Sequence, residues 1–262
     1  RQPLWARVFY SSWFYLSCAS GLGAFLAWMM LEPFFGESDQ GIEPGIAGLI
    51  GILLFPTVAG MIGLFLGAGE GIMCRNLRRA MICGCVGLGI GFVGGGVVIF
   101  VATFIFVGAA IGASALAGPN TPEGEMPTGF ALLVLIMGRG AAWAAASIPA
   151  GLGQGIAVWN RKVIFNGLVG GVLGGLLGGI LFDPLYLLLT PKGEEAWVSR
   201  GVGFTLIGLL VGLFVGLVEG WTKTAWLLMR QGPLAGKQFV LYRDTTILGS
   251  SPKADVYLVK DD

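Results

Sequence analysis

The stretch VIFNGLVGGVLGGLLGGILFDPL, which runs from Val163 to Leu185, decides the fold because it is long, apolar and rich in glycine. Its glycines form two series with a spacing of four residues: Gly167, Gly171, Gly175 and Gly179, and Gly170, Gly174 and Gly178. Glycines four apart lie on one face of a helix and allow a neighbouring backbone to approach closely, which is how helices associate in lipid. We therefore predict a membrane helix that contacts two neighbours and lies at the centre of a bundle.

The composition of the whole chain points the same way. The 262 residues are 55% hydrophobic and only 12% charged, with a mean hydropathy of +0.80. A soluble domain carries about 25% charged residues. The net charge of +1 gives no indication of a nucleic-acid partner. The sequence therefore predicts an all-α polytopic membrane protein whose immediate partner is the lipid bilayer.

Six apolar spans can be drawn, at about 9–31, 45–72, 79–113, 129–158, 163–189 and 200–229. A crossing needs about 20 apolar residues. The third and fourth spans are longer than that, so they tilt strongly, protrude from the membrane or break. A break in the third span is expected at Gly94 to Gly96, because glycine weakens a helix interior. Basic residues follow the even spans and acidic residues predominate after the odd spans, and Lys and Arg mark the cytoplasmic side. We expect a multi-pass protein of the bacterial inner membrane with both termini in the cytoplasm.

Internal repeats organise the spans. The even spans end alike, in GLFLGAGEGI (63–72), SIPAGLGQGI (147–156) and GLFVGLVEGW (212–221). The odd spans match more loosely, for example LEP at 31–33 and FDP at 182–184. We predict three tandem helical hairpins of the same orientation, at about 9–72, 79–158 and 163–229, held together by glycine zippers. Further packing positions lie in the second and sixth spans: Gly63, Gly67 and Gly71, and Gly208, Gly212, Gly216 and Gly220. Alternatively, the glycines line a pore or permit bending.

Few polar residues interrupt the spans, and each is a candidate site. Arg139 is the strong charge within an apolar run, and an ionisable residue in a membrane span is a functional candidate by default. It could reach the outer membrane edge, form a buried ion pair or serve in transport. Glu70, Gln154 and Glu219 occupy equivalent repeat positions. They could form a polar ring, or cap helices and form salt bridges at the interface.

Residues typical of an enzyme are scarce in this sequence. Histidine, the commonest general base and metal ligand, is absent, and the four cysteines show no metal-binding pattern. The glycine-rich string GLGIGFVGGG resembles a dinucleotide fingerprint but lies within a membrane span. We expect neither enzymatic activity nor a metal or other cofactor.

The last residues, 233–262, are polar and contain three short segments with strand character: GKQFVL, TTILGS and ADVYL. These segments resemble the beginning of a forkhead-associated (FHA) domain, a β-sandwich that binds phosphothreonine peptides. The resemblance implies a helical membrane domain at 1–232 and the first strands of a cytoplasmic FHA-like domain at 233–262. Its family continues past the position of Asp262, so we expect more of that domain beyond it.

The resemblance also implies candidate phosphopeptide contacts. Ser250 stands where the family has an arginine that helps to hold the phosphate, and Ser251 follows it. Arg243 and Lys253 could supply a replacement cation, because charge-assisted hydrogen bonds to phosphate are strong. Alternatively, these two residues are ordinary surface residues of a degenerate domain.

Three functions follow from this organisation. The first is a membrane-anchored signalling scaffold that recruits a phosphorylated cytoplasmic protein through the FHA-like domain. The second is a channel or transporter that this domain regulates. The third is a structural subunit of a homo-oligomer or of a larger membrane complex. A water-lined cavity would favour the second function, and a dry, close-packed bundle would disfavour it.

Overall fold

The computed structural model describes residues 8–36, 44–118, 126–190, 196–223, 225–230, 237–241, 245–251, 254 and 256–257. Their helices are α1 Ser12–Gly36, α2 Pro44–Met73, α3 Leu77–Ala117, α4 Gly129–Ala157, α5 Arg161–Leu189 and α6 Trp197–Thr222. Short strands follow: β1 Ala225–Leu228, β2 Gln238–Leu241, β3 Leu248–Gly249 and β4 Val256–Tyr257. All six described helices are long and apolar enough to cross a membrane, which indicates a multi-pass membrane protein.

The helices form a closed ring. Each helix contacts the next one along the chain, α6 contacts α1, and α2 also contacts α4. The buried core comes from four helices, and its members are Leu16, Ala24, Ala27, Val58, Ala59, Ile62, Leu66, Trp143, Ala146, Ala150, Phe204, Ile207, Val211 and Val215. Helix α5 adds only the partly buried Phe182 to this core. It therefore lies on the outside of the bundle, and the prediction that it lies at the centre is wrong.

The glycine series lie where neighbouring helices meet. In α5 one series faces α4 and the other faces α6, so this helix does contact two neighbours. Gly167 faces Gly151 so closely that a Cβ built on either would overlap the carbonyl oxygen of the other. The series of α2 (Gly63, Gly67, Gly71) faces α3, and that of α6 (Gly208, Gly212, Gly216) faces α1. Gly220 differs, because a Cβ there would meet nothing within 4 Å.

Helix α3 runs unbroken through Gly94 to Gly96, which excludes the break among the three alternatives for this long span. The 41 residues of α3 at 1.5 Å per residue make it about 60 Å long, twice the thickness of the hydrocarbon core. A Cβ on Gly94 would lie 2.5 Å from the Pro149 Cβ, and one on Gly95 would lie 2.9 Å from the Pro56 Cα. These glycines therefore make room for prolines of α4 and α2.

Two turns on one side of the bundle share the same backbone hydrogen bonds. They join α2 to α3 and α4 to α5, and each ends in an asparagine. The Asn76 N–H donates to the Gly71 carbonyl at 2.9 Å, and the Asn160 N–H donates to the Gly155 carbonyl at 3.1 Å. Each asparagine side chain then accepts from the first turn of the next helix, which caps that helix.

The residue before each asparagine closes the preceding helix. Arg75 has φ +54° and Trp159 has φ +50°, the left-handed conformation that typically ends a helix. The two turns therefore have the same geometry as well as related flanking sequences. The repeat that the even spans share is thus visible in the backbone of residues 71–76 and 155–160.

The strands lie at the same end of the bundle as these two turns, and we call it the strand end; the opposite end is the far end. Strand β1 pairs antiparallel with β2, with Ala225 opposite Leu241, and β3 pairs parallel with β4. Helix α6 ends at Thr222, so the prediction of a span to residue 229 is wrong. Residues 225–228 are apolar but pair as a strand, so the strand segment begins at Ala225, before the predicted start at residue 233.

The α4–α5 contact predicts opposite outcomes for the same substitution at two glycines. Gly167→Ala should destabilise the bundle by about 1–3 kcal/mol, the usual cost of overpacking. Gly89→Ala should stabilise it by about 0.5–1 kcal/mol, because alanine is the better helix residue and its Cβ would meet nothing within 4 Å. Unfolding of both variants in detergent with increasing dodecyl sulfate measures the difference. Equal effects at the two positions would contradict the close approach of α4 and α5.

Candidate functional site

A buried ion pair joins α4 to α5 near the far end. The Arg139 Nε lies 2.7 Å from the Asp183 Oδ1, and the Asp183 side chain is 1% exposed. The Arg139 guanidinium also lies over the rings of Phe106 and Phe182, 4.6 and 5.3 Å from their centroids. Arg139 therefore forms an ion pair in which the acid is buried and the arginine side chain is 24% exposed.

Asp183 was not among the candidate residues that the sequence suggested, because it lies close to a predicted acidic loop. The sequence nevertheless contained an indication that Asp183 is important. Asp183 follows a long apolar run in FDP, and the matched repeat LEP places Glu32 at the equivalent position. Within the described part of the chain, Asp183 Oδ2 is buried without a hydrogen-bond partner.

Glu32 forms a second ion pair of the same kind between α1 and α6. Its carboxylate pairs with the Arg200 guanidinium, whose Nε donates to Oε2 at 3.2 Å. The Trp28 Nε1–H donates to the same oxygen at 2.6 Å. The two ion pairs are built alike. In each, an acidic residue that directly precedes a proline, on α5 or α1, binds an arginine of the preceding helix in the ring, α4 or α6. The two pairs therefore fix two of the helix contacts at the far end.

The repeat-related polar residues of the strand end have separate neighbours. Glu70 lies 3.8 Å from the Arg79 guanidinium across the α2–α3 turn. Glu219 is 7% exposed, and its Oε1 accepts a hydrogen bond from the Ser12 hydroxyl at 2.9 Å. Gln154 is also buried in α4. The Glu70 contact is thus a salt bridge and the Glu219 contact a hydrogen bond, and both lie at a helix end.

Lys237, which directly precedes β2, is buried against the strand end of the bundle. Its side chain is 1% exposed, and its Nζ lies 4.4 Å from the centroid of the Tyr15 ring in α1. Neither Lys237 nor Tyr15 was among the candidate residues from the sequence, because only the fold brings a residue of the strand segment to the first helix.

An apolar cluster beside Lys237 joins the strands to the α2–α3 turn. Cys74 in that turn is buried with Phe239 and Val256, and Leu227 and Leu241 pack against the three. Burial, together with the nearby Glu70 carboxylate, raises the pKa of the Cys74 thiol to about 11, and the Lys237 ammonium opposes this effect. Cys74 is therefore a protonated, unreactive thiol at neutral pH.

The phosphopeptide residues suggested by the FHA resemblance are only partly described. Ser250 and Ser251 are exposed directly after β3. Arg243 and Lys253 lie outside the described residues. The described part of the chain also contains no group of three or more Cys, Asp or Glu side chains that could hold a metal ion.

Comparison of the chain with protein-family models, with curated proteins and with solved structures gave no match.

The Arg139–Asp183 pair predicts a non-additive pair of substitutions. Asp183→Asn should destabilise the protein by about 3 kcal/mol or more, because it leaves the Arg139 charge buried without its counter-ion. The double variant Arg139→Met/Asp183→Leu should lose less stability than Asp183→Asn, since neither charge remains. Unfolding in detergent measures both variants, together with Arg139→Met and Asp183→Leu alone. If the single losses simply add up in the double variant, the two residues do not interact.

Proposed function

We propose that this protein is a membrane-anchored signalling scaffold. Its helical domain consists of three tandem glycine-zipper hairpins in a bacterial inner membrane, with both termini in the cytoplasm. Its strand segment begins an FHA-like β-sandwich that recruits a phosphothreonine-containing protein. The observation that supports this proposal best is the apolar cluster of Cys74, Phe239 and Val256, because it holds the strands directly on the bundle. A partner bound there would sit at a defined place on the membrane.

The packing of the bundle favours a scaffold over a channel or transporter. Core side chains of α1, α2, α4 and α6 fill the space between the helices, and Leu16, Leu66 and Ile207 are fully buried. The helices also meet backbone to backbone at several glycines. The two ion pairs of the far end each join neighbouring helices. Charges that are paired within a helix contact are suited to holding that contact together.

The charges of the loops support the proposed orientation. Arg75, Arg78 and Arg79 cluster at the α2–α3 turn, and Arg161 and Lys162 follow the α4–α5 turn, both at the strand end. Since basic residues mark the cytoplasmic side, the strands would emerge where protein kinases act. This orientation matches the recruitment of a phosphorylated partner.

Peptide binding tests the proposed function. The full-length protein in lipid nanodiscs should bind phosphothreonine peptides from a library more tightly than the same peptides with threonine. Ser250→Arg restores the arginine that the FHA resemblance calls for. It should tighten binding of the phosphorylated peptides about tenfold, because a hydrogen bond to a charged group contributes about 1.5–3 kcal/mol. Binding of the unphosphorylated peptides should not change.

Ile247 lies outside the proposed phosphopeptide contacts and has an exposed side chain, so Ile247→Ala is a suitable matched control. This variant should leave the preference for phosphothreonine unchanged. Equal affinity for phosphorylated and unphosphorylated peptides, in both the native protein and the Ser250→Arg variant, would contradict recruitment through phosphothreonine.

A further inference from the structure

Lys237 is the most unusual side chain of the strand end, because lysine is rarely fully buried unless its charge is compensated. Here the side chain is 1% exposed, and its Nζ lies over the Tyr15 ring at 4.4 Å. The Lys237 backbone is also held, since its carbonyl accepts from the Met229 N–H at 3.1 Å. The residue is thus fixed between the strand segment and the first helix.

The strand end carries charges of both signs. Arg75, Arg78 and Arg79 lie at the α2–α3 turn, whereas Glu219 of α6 accepts a hydrogen bond from Ser12, three residues before Tyr15. The Lys237 ammonium therefore lies at the end of the bundle where α6 meets α1. A cation over an aromatic ring is attracted to the ring, most strongly where water is excluded. The Lys237 ammonium thus binds the Tyr15 ring and joins the strand segment to α1.

An apolar cluster beside Lys237 also holds the strands on the bundle. The apolar cluster that joins them has three buried members, Cys74, Phe239 and Val256. Burial of these side chains favours the docked strands, and the conformational entropy that the strand residues lose on docking opposes it. The balance between the docked and released strands is therefore sensitive to the contact that Lys237 adds.

We propose that Lys237 is a latch: it docks the strand segment on Tyr15 at the strand end of the bundle, and its release uncovers Tyr15 and Cys74. Binding events at the strands and the accessibility of this end of the bundle are then coupled. The latch does not depend on whether the strands recognise a phosphopeptide. Its failure and the failure of the proposed function can therefore be observed separately.

Cys74 reports on the latch because the docked strands bury it. In a background with Cys18→Ser, Cys83→Ala and Cys85→Ser, the rate of Cys74 labelling by a soluble maleimide is measured at pH 8 in nanodiscs. Lys237→Met keeps an apolar side chain of similar length and removes the charge. We expect it to accelerate labelling about 10- to 100-fold, because release would return the pKa of the thiol from about 11 towards its ordinary 9.0.

The direction of the change in labelling rate distinguishes release of the strands from a purely electrostatic effect of removing the Lys237 charge. If the strands stayed docked, loss of the Lys237 charge would raise the pKa of the Cys74 thiol further, since Lys237 lowers it. Labelling would then be slower or unchanged, and this result would overturn the proposal. Tyr15→Leu removes the ring from the bundle side and leaves the strand sequence intact. It should also accelerate labelling, which separates release of the strands from their unfolding.

Arg78→Met is the matched control, because it removes an exposed positive charge four residues from Cys74. Labelling of this variant should stay close to the rate of the background protein. Acceleration by Arg78→Met equal to that by Lys237→Met would show that loss of any nearby cation suffices, and it would overturn the latch. Unfolding of each variant in detergent shows that the helical bundle is retained during the labelling.

Discussion

The close approach of helix backbones at glycine is the interaction on which the rest of this structure depends. Helices in lipid gain no hydrophobic free energy by pairing, so their association depends on close packing. Gly151 and Gly167 show how near α4 and α5 come, because a Cβ on either would overlap the other's carbonyl oxygen. The same close approach recurs between α2 and α3 at Gly63 and Gly87. With backbones this close, few side chains are needed to fill the space between helices.

The charges of the bundle are distributed in keeping with this packing. Ion pairs within a membrane domain are costly unless each charge is compensated, and two of the described pairs lie between adjacent helices near the far end. Asp183 binds Arg139, and Glu32 binds Arg200. Because both acids occupy matched positions before a proline, the sequence repeat corresponds to a repeated helix contact. The second of these contacts joins α6 to α1 and so closes the ring.

Much of this fold could be predicted from the sequence, because apolar length and charge alternation report directly on membrane helices. Five of the six helices end within a few residues of the predicted bounds. The sixth was overestimated because Ala225–Leu228 is apolar, and only its pairing with β2 identifies it as a strand. The run Gly94 to Gly96 resembled a break, yet the prolines of neighbouring helices fill its space. The end of α6 and the unbroken course of α3 both depend on contacts between residues that are distant in the sequence.

The candidate sites were less predictable for the same reason. Arg139 stood out as a lone charge, but its partner Asp183 lies 44 positions further along the chain, beside a predicted loop. Tyr15 and Lys237 are even further apart in sequence, and the GKQFVL segment that contains Lys237 gives no indication of a contact with α1. Such pairs depend on closure of the helix ring and on where the strands dock. The repeat nevertheless indicated that Glu32 and Asp183 are equivalent.

The central claim is that adjacent helices meet backbone to backbone in lipid, and a distance between two glycines measures this most directly. Solid-state NMR of the protein in bilayers, with ¹³C at the glycine α-carbons, would detect contacts between assigned Gly151 and Gly167 signals. The Gly167 Cα lies 3.4 Å from the position of a Cβ on Gly151, so a strong cross-peak is predicted. Absence of the cross-peak would place the α4 and α5 axes at roughly the 8–10 Å spacing, or more, that is typical of helices separated by side chains, and it would contradict the account.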